Sequence, residues 1–189
     1  MDLKNKKILV LGLSKSGIAA AKCLAKRGAD VYITEGKDAK EEYKSQIQDL
    51  NNTGIKVETG GHSDDFINGS VFAVTSPGIP PHSKIMKKLN AKNIPVISEI
   101  ELAYKLTKVP FIAITGTNGK TTTTALTAHI LSEVYNAVPC GNYGLPPCDM
   151  LDEDLDYFVS ECSSFQLEYT KEFAPKISVF TNFTPDHID

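Results

Sequence analysis

The sequence predicts an α/β protein, with a Rossmann-like N-terminal domain followed by the incomplete start of a P-loop-type α/β domain. Three observations predict it. Short β-branched runs alternate with helical stretches, the pattern of parallel sheets covered by helices. Two of the strands run into glycine turns that open helices, GLSKSG at 12–17 and TGTNGKTT at 115–122. The 189 residues, 41% of them hydrophobic, suffice to bury one large core or two small ones.

Taken in order, KKILVLG (6–12) reads as a strand. GIAAAKCLAKRG (17–28) reads as a helix with Ile18, Ala21, Leu24 and Ala25 on one face and Gly28 as its stop, and ADVYIT (29–34) as a second strand. A charged, weakly apolar segment without a clear period follows. VFAVTSPG (71–78), the helical SKIMKKLNAKN (83–93) and IPVISE (94–99) then extend the alternation, so that residues 1–98 close a first domain. The second, 99–189, opens with amphipathic EIELAYKLT (99–107). It continues with strand PFIAITG (110–116), helix KTTTTALTAHILSEV (120–134) and strands DYFVSE (156–161) and KISVFTNF (176–183). Three strands and one long helix leave a sheet edge that a finished nucleotide-binding sheet would cover, so the expectation is a truncated chain.

Composition limits the function classes. A net charge of -3 gives no broad cationic surface, which argues against nucleic acid or an acidic membrane as partner. The first apolar run, Ile8–Leu13, is too short for a signal peptide core or a membrane span, and a cytoplasmic protein is expected. Cys23, Cys140, Cys148 and Cys162 show neither C-x-x-C pairing nor zinc spacing and read as buried thiols.

The first glycine turn follows a strand and opens a helix as a dinucleotide fingerprint does, and Glu35 stands 18 positions beyond Gly17. However, Ser14 replaces the middle glycine, and its Cβ stands where a pyrophosphate needs bare backbone. The NAD reading weakens accordingly. A diphosphate lying farther from the strand could still use the helix N-terminus, with Ser14, Lys15 and Ser16 adding donors and charge. The alternative is a tight turn with no ligand. SPGIPP (76–81) belongs to the same carboxyl rim, as a second contact or merely a rigid helix entry.

The second turn has the spacing G-x-x-G-K-T, shorter than the common P-loop. Gly116 and Gly119 let successive N–H groups point inward around phosphate oxygens, with Thr117 and Asn118 between them and Thr122 continuing the run. Lys120 would neutralise β and γ phosphates, and Thr121 would offer a hydroxyl to Mg²⁺. Magnesium needs a carboxylate as well, and Glu161, directly after a strand, faces the crevice if the sheet is parallel; a merely solvated Glu is the alternative. TNFTPDHID delivers Asp186, His187 and Asp189 to the same edge, and GNYGLP (141–146) adds the Asn142 amide.

GTNGKTT, GNYGLP, SECSSFQLE and TNFTPDHID, in this order behind a Rossmann-like unit, resemble the Mur ligases of peptidoglycan synthesis. SSFQLE together with SPGI most resembles the branch that adds D-glutamate. The resemblance implies an ATP- and Mg²⁺-dependent ligase in which UDP-N-acetylmuramoyl-L-alanine is converted to an acyl phosphate and then captured by the amine of D-glutamate. It also implies Lys120 on the β and γ phosphates, Thr121 and Glu161 on one magnesium and His187 on a second. Asn142 and Ser163 would contact the muramoyl group. Ser14–Ser16, Glu35, Gly36, Lys37, Ser76, Pro77 and Gly78 would hold the UDP part. One departure is that Gly36 and Lys37 stand where the better-known pattern has a Thr-Arg pair, and a Lys cannot make the flat bidentate contact of an Arg. The family's carbamylated lysine and C-terminal domain are expected beyond Asp189, so this chain alone is expected not to complete the reaction. Three rivals remain at this point: another Mur or folylpolyglutamate-type ligase, a non-catalytic nucleotide-binding module, and an NAD-dependent oxidoreductase.

Overall fold

The structure, a computed structural model, describes residues 1–38 and 40–185. Its first sheet contains β1 (Lys7–Leu11), β2 (Asp30–Glu35), β3 (Lys56–Thr59), β4 (Phe72–Thr75) and β5 (Val96–Ser98), in the order β3-β2-β1-β4-β5. The second contains β6 (Phe111–Thr115), β7 (Ala137–Gly141), β8 (Tyr157–Glu161) and β9 (Ile177–Phe180), in the order β7-β8-β6-β9. Every pairing in both sheets is parallel. The connections run through α1 (Lys15–Lys26), α2 (Lys44–Asn52), α3 (Asp64–Ile67), α4 (Lys84–Ala91), α5 (Glu99–Leu106), α6 (Lys120–Ser132) and α7 (Ser164–Glu168). In each sheet the chain leaves a central strand, β1 or β6, through a glycine turn. Those strand ends are the topological switch points where open parallel sheets hold ligands.

The inner strands β1, β6 and β8 read as apolar runs because they are covered on both faces. Ile8, Leu9, Val10 and Leu11 are all fully buried, as are Ile114 and Val159. Helix α1 begins two residues earlier than its apolar face suggests, because the Ser14 hydroxyl accepts the Gly17 N–H and fixes the start at Lys15. Gly28 follows it with φ +83°, a conformation that L side chains rarely adopt. Two strands are additional to the sequence reading. KVET of β3 is short, half-exposed and charged, and β7 carries Pro139; both are edge strands, where such residues are tolerated.

Helix α5 forms the seam between the two sheets. One apolar cluster runs from Ile8, Val10 and Ile33 through α1 and α5 to Phe111 and Phe158, whose rings stack at 4.7 Å. Polar contacts lock the same seam. The buried Glu101 carboxylate accepts the backbone N–H groups of Lys171, Glu172 and Phe173, and Asp152 pairs with Lys26 at 2.6 Å and Arg27 at 3.0 Å. Glu99 is satisfied on one side only. Its Oε1 accepts the Cys148 N–H at 2.7 Å, while Oε2 is buried without a partner, and burial pushes its pKa up to about 7. All four cysteines are free and buried.

Candidate functional site

The second glycine turn is shaped by close approach of its neighbours. Gly116 has φ +132°, and a Cβ there would lie 2.2 Å from Thr181 Oγ1 and 3.0 Å from the backbone N of Asn182. The residues after β9 brace the loop from that side. Asn182 takes the Thr117 N–H on its backbone carbonyl and the Asn118 N–H on its side-chain oxygen, and the Thr181 hydroxyl donates to the Asn118 carbonyl. This bracing was missed in the sequence, although TNFTP directly after a strand carried the signal.

Helix α6 starts at Lys120 behind Gly119, which is left-handed at φ +81° and provides no side-chain cap. A helix start leaves its first N–H groups without intrahelical partners and carries the positive end of the dipole. Lys120 adds a full charge. Its Nζ lies folded on the loop, donating to the carbonyls of Gly116 and Thr117 at 2.8 Å each.

The register carries the acid to this point. Glu161, the last residue of β8, pairs with Ile114 of β6 on one side and Gly141 of β7 on the other. The Thr121 hydroxyl donates to its Oε2 at 2.8 Å, and the Asn142 amide donates to its Oε1 at 2.8 Å. Gly141 makes the approach possible, because a Cβ there would meet the Glu161 carbonyl at 2.3 Å. Glu161 is only 2% exposed, and among the described residues no Lys, Arg or His forms an ion pair with it. A buried carboxylate beside a hydroxyl, without a basic partner, fits a hard cation that takes its other ligands from phosphate and water. Among the described residues no cluster of three acidic, His or Cys side chains forms a complete protein cage.

A groove of about 650 Å³ opens beside this turn, and Thr115–Thr117, Lys120 and Ser163 are among its lining residues. Phe165, Phe180 and Phe183 also line it, and no sequence motif points to any of these aromatics. Ser163 also caps α7 in a reciprocal capping box with Gln166. Thr122 lies exposed in the first turn of α6. The candidate ligands Asp186, His187 and Asp189 lie outside the described residues.

At the first sheet a groove of about 670 Å³ is lined by Ser14, Glu35, Gly36, Lys37, Ser76, Pro77 and Gly78, as the sequence suggests. Lys15 and Ser16 are not among its lining residues: Lys15 is exposed on the first turn of α1, and Ser16 sits against Ser14 with their hydroxyls 3.1 Å apart. Ser14 donates to the buried Ser76 at 2.8 Å while capping α1, so one N–H expected to be open there is taken. Glu35 holds the backbone N–H groups of Leu13 and Lys37, organising the loops around the groove. His62 also lines this groove and had no motif to reveal it; burial pulls its pKa below the usual histidine value.

Comparisons with known proteins agree with this layout. The family model for the Mur ligase MurD-like N-terminal domain matches residues 6–98, and that for the Mur ligase middle domain matches 114–189. UDP-N-acetylmuramoylalanine–D-glutamate ligases of Streptococcus pneumoniae, strains Hungary19A-6 and P1031 among them, are 44% identical over 192 residues, covering 100% of this chain and 42% of those proteins. The chain thus spans less than half the length of the curated relatives it matches. Among solved structures, the UDP-N-acetylmuramate:L-alanyl-γ-D-glutamyl-meso-diaminopimelate ligase of Neisseria meningitides superposes with a TM-score of 0.61 at 19% identity, covering 98% of this chain and 63% of that one. The UDP-N-acetylmuramate–alanine ligase of Thermotoga maritima gives 0.57 at 23% identity, covering 96% and 42%. At such identities these two likenesses speak to the fold.

Proposed function

The chain belongs to the Mur ligase family, and from that premise we propose that it forms the UDP-substrate and ATP-binding part of a cytoplasmic ligase that adds D-glutamate to UDP-N-acetylmuramoyl-L-alanine. Residues 1–98 are the UDP-substrate domain and 99–189 belong to the ATP domain. The relatives at 44% identity carry that activity in their names. Among the described residues no helix is long and apolar enough to cross a membrane.

The observation that carries the reading is the contact of Thr121 and Asn142 with Glu161 at an uncapped helix start. The free N–H groups of that helix start receive phosphate oxygens. Lys120, released from the loop carbonyls, follows the β and γ phosphates and offsets the repulsion between a substrate carboxylate and the nucleotide. Thr121 and Glu161 would hold Mg²⁺, which would supply further neutralisation of the triphosphate. Asn142 keeps the Glu161 carboxylate turned toward Thr121 and, with Ser163, faces the muramoyl end. His187 is the candidate for a second magnesium. The UDP part lies in the first groove, on Ser14, Glu35–Lys37 and Ser76–Gly78, with Lys15 and Ser16 acting from its rim.

Titration calorimetry with ATP and Mg²⁺ tests this. Lys120→Ala removes a charged donor and is expected to weaken ATP by about 10- to 100-fold; unchanged affinity in a folded variant would overturn the reading.

A further inference from the structure

The groove of the first sheet contains a histidine whose hydrogen-bonding state is set by its neighbours. His62 Nδ1 lies 2.8 Å from the hydroxyl of Thr34, a fully buried residue of β2. The same hydroxyl lies 2.7 Å from Glu58 Oε1 and 3.0 Å from the Gly61 carbonyl. A hydroxyl has one hydrogen, and a carboxylate and a carbonyl can only accept. The Thr34 proton therefore goes to one of these oxygens, and the Nδ1 contact must be a hydrogen bond donated by the ring. A neutral imidazole with its proton on Nδ1 has a bare lone pair on Nε2.

The ring that carries this lone pair lines the ligand space. Among the described residues Nε2 has no hydrogen-bond partner, and it lies 3.0 Å from where a Cβ of Gly36 would stand. The absence of a side chain at Gly36 makes room for the ring at the end of β2. His62 lines both the groove that holds Glu35 and Ser76 and the adjoining cavity of about 580 Å³ reaching Ser83 and Lys88. A neutral acceptor is a poor partner for a phosphate oxygen, since two lone pairs would face each other. It suits an N–H on the ligand.

We propose that His62 is a specificity-determining residue that reads the nucleobase, its Nε2 accepting the imide N3–H of uracil. This rests on the UDP-binding reading of the first groove and adds a rule to it. Cytosine presents a lone pair at N3 and is rejected; uracil presents a hydrogen and is accepted. Leaving a buried polar atom unpaired against the wrong base is an effective means of discrimination. Glu58 acts only as a positioning residue, holding the Thr34 hydroxyl so that Nδ1 keeps its proton.

The test measures affinities of this chain for UDP, CDP and N3-methyl-UDP by calorimetry, for the native protein and His62→Phe, which keeps a flat ring without nitrogens. The native protein is expected to bind UDP about tenfold tighter than either analogue, with the three converging in His62→Phe. Equal binding of all three by the native protein, or a preference that survives in folded His62→Phe, overturns the proposal while leaving the UDP site in place. No binding of any of them to the native protein overturns both. Should His62→Phe fail to fold, His62→Leu carries the same comparison: loss of the UDP preference supports the proposal, and a preference that survives sinks it.

Discussion

The same local plan, a strand running through a glycine turn into a helix, occurs at 11–17 and again at 115–121, and the two helix starts are treated in opposite ways. At the first, Ser14 caps α1 and links to buried Ser76, so the turn is closed by the chain's own side chains. At the second, Gly119 leaves α6 uncapped, Lys120 lies over the turn, and a buried carboxylate touches the first hydroxyl of the helix. A capped turn is a structural element beside which a ligand can lie along the rim. An uncapped one, with a lysine and an acid arranged around it, leaves unpaired N–H groups beside a positive and a negative side chain.

The difference can be strained first at the glycines. Gly116→Ala places a methyl 2.2 Å from Thr181 Oγ1 at φ +132° and is expected to cost about 2–5 kcal/mol. Gly12→Ala meets Ser76 Oγ at 3.1 Å with φ +91° and should cost about 1–3 kcal/mol. Denaturant unfolding of the two variants checks the ranking, and a larger loss at Gly12 would break the contrast.

The seam between the two sheets gives the next effect. Because the native chain keeps a proton on Glu99 that the unfolded chain releases, stability falls as pH rises from about 4.5 to about 7 and levels off above that. The full span is at most ~3 kcal/mol. Urea midpoints between pH 5 and 8 should show that slope, and Glu99→Gln should flatten it and be the more stable form at pH 8. A slope retained in the variant would place the titration elsewhere.

Smallest is the cap itself. Ser14→Ala should cost about 1 kcal/mol of stability and leave ATP affinity unchanged, because Ser14 serves the first turn alone. A loss of ATP binding in this variant would mean that the two turns are coupled.

Much of this was legible in the sequence, for reasons that also mark the limit. The apolar runs of β1, β6 and β8 and the two glycine turns carry strong local signals, and Glu161 was identifiable because a parallel sheet sends strand ends to one rim. Charged KVET hides β3 and Pro139 interrupts β7, features that edge strands tolerate. Asn182 and His62 act through contacts made across the fold, between segments distant in sequence, and no local period encodes such a meeting. Ser14 was singled out as a phosphate donor, yet its hydroxyl is directed to Gly17 and Ser76, a choice set by where β4 ends.

The most direct test of the central claim is the Mg²⁺ dependence of ATP affinity in the native chain and in Glu161→Gln, which keeps the shape and the Thr121 contact but removes the charge. The account predicts that Mg²⁺ tightens ATP binding by about tenfold or more in the native chain and that Glu161→Gln loses most of that gain. An equal gain in both would show that the metal is held without Glu161, contradicting the assignment of this rim as the metal and triphosphate site.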